Sequence, residues 1–144
     1  MSQTNELEIM ERIALDLEGV EESLASSFNT GAEDFNALIR PLSAAGGKRL
    51  RAQLCLLIAN AGTSVERQRI RIAEAVEMLH LATLIHDDVL DQAEIRRGED
   101  TIHMHKGNKV AILSGDYLFA KAFQIVSEMP NMKYLQIFSH IITC

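Results

Sequence analysis

Leu84-Ile85-His86-Asp87-Asp88-Val89-Leu90-Asp91, the stretch LIHDDVLD at 84–91, sets three carboxylates at the end of an otherwise apolar helical pattern. Residues four apart on an α-helix lie one turn above each other, so Asp87 and Asp91 share a face. Carboxylates so placed suit a hard divalent cation held between the protein and a bound diphosphate, with Asp88 beside them. Beyond Asp91, Arg96 and Arg97 precede Gly98 and offer paired guanidinium groups to phosphate oxygens. Acid followed by base points to metal and phosphate together.

Outward from this stretch the pattern is helical. Residues 65 to about 90 form the longest periodic segment, with Ile72, Val76, Leu79, Ala82 or Thr83, and His86 along one side. It delivers the aspartates to a helix C-terminus, where the macrodipole disfavours negative charge, and that local conflict is itself a pointer to cation binding. Upstream, a basic start at Lys48 followed by RAQLCLLIANAG predicts a buried helix to Asn60 whose first turn reaches the surface. Before it, Leu7, Met10, Ile13, Leu17, Val20 and Leu24 recur at steps of three and four, the mark of an amphipathic helix over 4–28. A shorter helix from about Asp34 to Ala44 should bend or restart at Pro41, and Gly46 and Gly47 punctuate the chain after it.

Downstream, a loop through Arg97, His103 and His105 leads to a helix opened by Gly107 and Asn108. There Ala111, Ser114, Gly115 and Ala122 allow close helix approach, and Asp116 is expected as a buried partner. Pro130 starts a final helix, which reaches Cys144 with no Gly, Asn or basic last turn to stop it, as expected of a chain that ends inside a helix.

At 144 residues the chain suffices for a single helical domain over 1–144, and with only 8 Gly and 2 Pro it has few breaks, so the expected fold class is all-α. The net charge of −6 sits at the N-terminus: residues 1–45 hold nine acids against Arg12 and Arg40, the remainder eleven acids against twelve bases. That distribution argues against nucleic acid as a partner and for small anions. Cys55 and Cys144 lack CxxC spacing, which suggests neither a metal site nor a disulfide framework and fits a reducing cytoplasm. No signal-peptide pattern opens the chain and no uninterrupted apolar run reaches bilayer length, so a soluble protein with no transmembrane segment is expected. His86 reads as a hydrogen-bonded core residue, His103 and His105 with Asp100 as something other than a metal site, and the six methionines as core filler.

Four motifs together resemble the trans-type polyprenyl diphosphate synthases, an all-helical family: GGKRLR at 46–51, HLATLIHDDVLD at 80–91, RRG at 96–98 and GDYL at 115–118. Their order and spacing both match over roughly residues 40 to 130. The resemblance implies the N-terminal half of the isoprenoid synthase helical bundle. It also implies a Mg2+-dependent prenyltransferase that condenses isopentenyl diphosphate with an allylic diphosphate to a product of geranylgeranyl length or longer. On this resemblance Asp87 and Asp91 are the magnesium ligands and Asp88 supports them. Arg96 meets the allylic diphosphate, while Lys48, Arg51, His80 and Arg97 meet the diphosphate of isopentenyl diphosphate. Arg49 has no firm role, and Ala52 stands where the family usually has proline, which touches helix entry more than chemistry.

The same resemblance puts Thr83 and Ala82, with Leu79 deeper, on the floor beneath the growing chain. None is an aromatic plug, and Ala82→Phe is expected to shorten the product. The family's second aspartate-rich motif is missing from this sequence, so one side of the metal site is expected to be incomplete and the chain to be a truncated or fragmentary synthase. Two further functions follow from that departure and from the shared motif. One is a non-catalytic subunit that pairs with a full synthase or as a homodimer; the other is a class I terpene cyclase, against which GGKRLR and His80 weigh.

Overall fold

α4, Glu66–Leu90, runs through the middle of the molecule and touches α1 (Gln3–Ser27), α3 (Leu50–Asn60), α5 (Ile102–Lys106) and α6 (Asn108–Ser127). α2 (Glu33–Ala44) lies beside α1, and α7 (Met132–Thr143) packs on α6. A two-stranded antiparallel hairpin, β1 (Ile95–Arg96) and β2 (Glu99–Asp100), pairs Ile95 with Asp100 and Arg96 with Glu99. The computed structural model describes residues 3–44, 48–62 and 65–143, so Gly46, Gly47 and Cys144 lie outside the described residues.

The helical reading of the chain holds, and its departures have physical reasons. The side of α4 expected to be its apolar stripe is only half-buried at Ile72, Val76 and Leu79. Its buried positions include Ala73, Met78, Leu81 and Ile85, interleaved with Arg69, Glu74, Glu77 and Asp88. Each of these charges has a partner. Arg69 grips Asp16 of α1 through two hydrogen bonds of 3.0 and 3.2 Å. Glu74, with no exposed surface, accepts from Ser23 and Ser27 at 2.6 Å each and from Arg71 at 2.7 Å. Buried charge is tolerated only with such satisfaction, and here it joins α1 to α4.

α3 is not the buried helix its composition suggests. Ala52 and Leu56 are buried against α1 and α4, but Leu50, Leu54, Leu57 and Ile58 are exposed. The methionines differ similarly: Met78 and Met129 are buried, whereas Met10, Met104 and Met132 are exposed. Pro41 sits inside α2 and the helix runs on to Ala44. α6 is long and apolar enough to cross a bilayer, yet it is the core helix beside α4, with Gly115, Leu118, Ala122 and Ile125 buried.

The segment read as a loop after α4 is built. Gln92 takes φ 53, its N–H reaches the Val89 carbonyl at 3.4 Å and the Ala93 N–H reaches the Asp88 carbonyl at 2.9 Å, the Schellman pattern that ends a helix. Arg97 and Gly98 then carry φ 54 and 87, the two positive values that a tight two-residue hairpin turn requires. Thr101, buried, donates its hydroxyl to the Ala93 carbonyl at 2.8 Å and closes the hairpin onto the end of α4.

Candidate diphosphate and metal site

Two cavities meet at the C-terminal half of α4. The first, of about 130 Å3, is lined by Lys48, Arg49, Leu50 and Arg51 from the entry to α3, by Glu77, His80, Leu81 and Leu84 from α4, and by Arg97 from the hairpin turn. Helical spacing explains the α4 contribution, since 77, 80, 81 and 84 fall on one face. The hairpin explains Arg97: its left-handed conformation at the turn swings the guanidinium back toward α4. Lys48, Arg51, His80 and Arg97, separated by up to 49 positions in sequence, thus share one wall.

Inside this pocket Arg51 Nη1 lies 3.1 Å from His80 Nε2. A guanidinium only donates, so Nε2 accepts and the imidazole proton sits on Nδ1. Burial, followed by the Arg51 charge, pushes His80 below its ordinary value of 6.5; Glu77 opposes this, and Arg97 and Arg96 add to it. His80 is therefore a neutral polar group within a cationic wall.

Arg49 differs from its neighbours. It is buried, its Nη2 donates to Glu21 at 3.1 Å, and its Nη1 stands 3.6 Å from Glu77. Lys48 and Arg51 on either side are exposed.

The three aspartates part company at the end of α4. Asp88 is buried and its Oδ1 accepts from Arg96 Nε at 2.7 Å, with Nη2 at 2.6 Å. That hydrogen bond, against some desolvation, raises the Arg96 pKa further and fixes its charge. Asp87 and Asp91 are exposed on the outer face, one turn apart, the Asp91 N–H bonding the Asp87 carbonyl at 2.8 Å. Two hard, exposed carboxylates at the negative end of a helix are a donor set that fits a dication such as Mg2+, whose remaining positions water and phosphate oxygens fill. No group of three or more His, Cys, Asp or Glu able to hold a metal occurs among the described residues, so any such ion would share its ligation with a bound anion.

A second cavity, of about 220 Å3, backs onto Leu81, Leu84 and Arg97 and is walled by Leu38, Pro41 and Leu42 of α2, Ile85, Asp88 and Arg96. Ala82 lines neither cavity and is fully buried in the core. Thr83 and Leu79 are half-buried and line neither; the Thr83 hydroxyl donates to the His80 carbonyl at 2.8 Å.

His86, next to Asp87, packs into α6. Its Nε2 donates to the Ile112 carbonyl at 3.1 Å and its ring stacks on Phe119. Gly115 makes the room, because a Cβ there would come within 2.2 Å of Nε2. Asp116, expected as a buried partner, is exposed and reaches His86 only at 3.4 Å. His103 lies 3.0 Å from the Thr101 hydroxyl, and His105 stands 3.7 Å from Asp100.

Sequence reasoning missed Glu77 and the Asp88–Arg96 pairing. The available signal was acids and bases at helical spacing inside a buried segment, where each must have a partner.

Comparison with known proteins agrees with this geometry. The family model for polyprenyl synthetase matches residues 32–143. Octaprenyl diphosphate synthase of Escherichia coli is 33% identical over 93% of this chain and 42% of its own length. Solanesyl diphosphate synthase 1, chloroplastic, of Arabidopsis thaliana is 34% identical over 93% of this chain and 34% of its own. A polyprenyl synthase from Caulobacter crescentus, solved with calcium and isoprenyl diphosphate, superposes with a TM-score of 0.84 at 36% identity, covering 90% of this chain and 41% of that one. The chain thus spans about two fifths or less of the relatives it matches here. By its motifs, its helical architecture and these likenesses, the chain belongs to the polyprenyl synthetase family.

Proposed function

We propose that this chain carries the first half of a prenyltransferase site, which binds isopentenyl diphosphate and an allylic diphosphate for head-to-tail condensation. One observation carries the reading: Lys48, Arg51, His80 and Arg97 converge on one pocket beside the Asp88–Arg96 pair, while Asp87 and Asp91 open outward from the same helix end. Lys48, Arg51 and Arg97 hold the homoallylic diphosphate, and neutral His80 adds a polar contact without competing for charge. Arg96, kept charged by Asp88, faces the allylic diphosphate and stabilises negative charge as the carbon–oxygen bond ionises. Asp87 and Asp91 would hold the magnesium, which when bound would further neutralise the departing diphosphate. No protein nucleophile is required, since the double bond of the second substrate attacks the allylic carbon and the resulting cation loses a proton to regenerate an alkene.

Product length of geranylgeranyl size or longer is part of the proposal. The long-chain names of the relatives support it. Because Ala82 is fully buried, Phe there would overpack the core, and Thr83→Phe is the cleaner probe of the floor. A second reading, a partner subunit for another synthase chain or a second copy, is favoured by exposed Leu54 and Ile58 on α3, Leu113 on α6, and Ile137 and Ile141 on α7.

The deciding experiment incubates the purified chain with magnesium, isopentenyl diphosphate and allylic diphosphates of increasing length, with EDTA as control. Elongation abolished by EDTA supports the enzymatic reading, and Thr83→Phe should then shorten the product. Folded protein that makes no product alone but restores or alters product formation when mixed with a full-length synthase supports the subunit reading.

A further inference from the structure

We infer that Glu77 is a positioning residue for the diphosphate pocket: its buried carboxylate anchors the entry to α3 and so aims Lys48 and Arg51 at the anion. The inference rests on the reading of that pocket given above. A carboxylate in the wall of an anion site is a liability unless its charge is already engaged, and Glu77, only 3% exposed, lines this one. Its engagement explains its presence. α3 starts without a side-chain cap, because its N-cap residue is Arg49, which has no acceptor to offer. Glu77 Oε1 accepts the Ala52 N–H at 3.0 Å, the bond an N-cap side chain ordinarily makes to the first turn.

Glu77 also holds the turn before the helix. Arg49 sits at φ 47, ψ 38, a left-handed conformation that a non-glycine residue keeps only when its surroundings enforce it. Glu77 on one side and Glu21 of α1 on the other draw its guanidinium inward. With Arg49 turned in, Lys48 and Arg51 project outward at the pocket mouth, and Arg51 meets His80, which lies one helical turn beyond Glu77. Arg49, shared with Glu21, offsets part of the Glu77 charge, and Lys48, Arg51 and Arg97 keep the pocket basic.

The test titrates the purified chain with inorganic pyrophosphate by isothermal calorimetry, without metal, alongside thermal melting by circular dichroism. Wild type is expected to bind, Lys48→Ala to bind about tenfold more weakly, and Glu77→Ala, which removes the acceptor of the Ala52 N–H, at least fivefold more weakly with its helical spectrum retained. In a Lys48→Ala/Arg51→Ala background the Glu77→Ala loss should shrink below twofold, because Glu77 acts through the two residues it aims; a merely structural role would give additive losses and overturn the inference. If Glu77→Ala does not fold, Glu77→Asp, which keeps the charge but shortens the reach, is read by the same criteria. Wild-type binding weakened by Lys48→Ala but untouched at Glu77 would sink this inference alone. No pyrophosphate binding by wild type would sink the reading of the pocket and this inference with it.

Discussion

Arg96 closes on Asp88 across the end of α4, its Nε and Nη2 at 2.7 and 2.6 Å from a single carboxylate oxygen. The middle aspartate of the motif is therefore spent on orienting an arginine, while its two neighbours stay outside. Asp88→Asn should keep one hydrogen bond but leave Arg96 without its counter-charge. With Asp88 buried and Arg96 a third exposed, we expect a loss of about 2 kcal/mol, below the cost of breaking a fully buried pair. Urea unfolding measures it, and an unchanged midpoint would contradict the role assigned to the pair.

His80 should titrate low. Its nuclear magnetic resonance midpoint is expected below 6.5 and should move upward in Arg51→Ala, which removes one of the causes that follow burial. Because the folded state resists protonation more than the unfolded chain does, the His80 contribution to stability is present above pH 6.5. It is lost as pH falls from there through the folded value. His80→Gln should therefore lose less stability than wild type between pH 7.5 and 5.5. A midpoint at or above 6.5 would refute the arrangement.

Gly115 and His86 should be coupled. Gly115→Ala places a methyl where the imidazole lies and should cost about 1–3 kcal/mol through overpacking. In a His86→Ala background the same substitution should cost little, giving a clear interaction energy in a double-mutant cycle. Additive losses would show that the glycine serves some other contact.

Gln92 offers a gain. At φ 53 it occupies the left-handed position of the motif that ends α4, where glycine avoids the steric penalty of a side chain. Gln92→Gly is expected to stabilise by about 0.5–1 kcal/mol and to raise the melting temperature by roughly 2–4 °C. Since Asp91 precedes it, equal pyrophosphate affinity before and after would show that the gain is confined to the backbone.

The sequence made some of this plain and hid the rest for identifiable reasons. α4 was legible almost to its ends because its periodicity is long, and Asp87 with Asp91 because four-residue spacing fixes a face whatever surrounds it. The partners of Arg69, Glu74 and Glu77 were not legible, since Asp16, Ser23, Ser27 and Ala52 lie 25 to 53 positions away and only tertiary packing joins them. The hairpin at 95–100 escaped because its strands are two residues each, too short for an alternation to register. α3 misled because composition reports how apolar a helix is and says nothing of how much of it is covered. For the site itself, residue types and order were visible, whereas the inward turn of Arg49 depends on a backbone conformation that its own side chain does not favour.

The charged groups buried along α4 have one more consequence. Arg69, Glu74, Glu77 and Asp88 each engage a different neighbour: Asp16, the two serines, the start of α3 and the hairpin. Apolar side chains are interchangeable contacts, and a helix held by them alone can slide by a turn at modest cost. Sliding α4 by one turn would part all four from these neighbours at once, and even at about 2 kcal/mol each the sum, roughly 8 kcal/mol, falls within the range of a whole domain's stability. The ladder thus acts as a vernier that allows α4 a single setting, and the spacing between the outer aspartates and the pocket wall inherits that setting without any ligand to impose it.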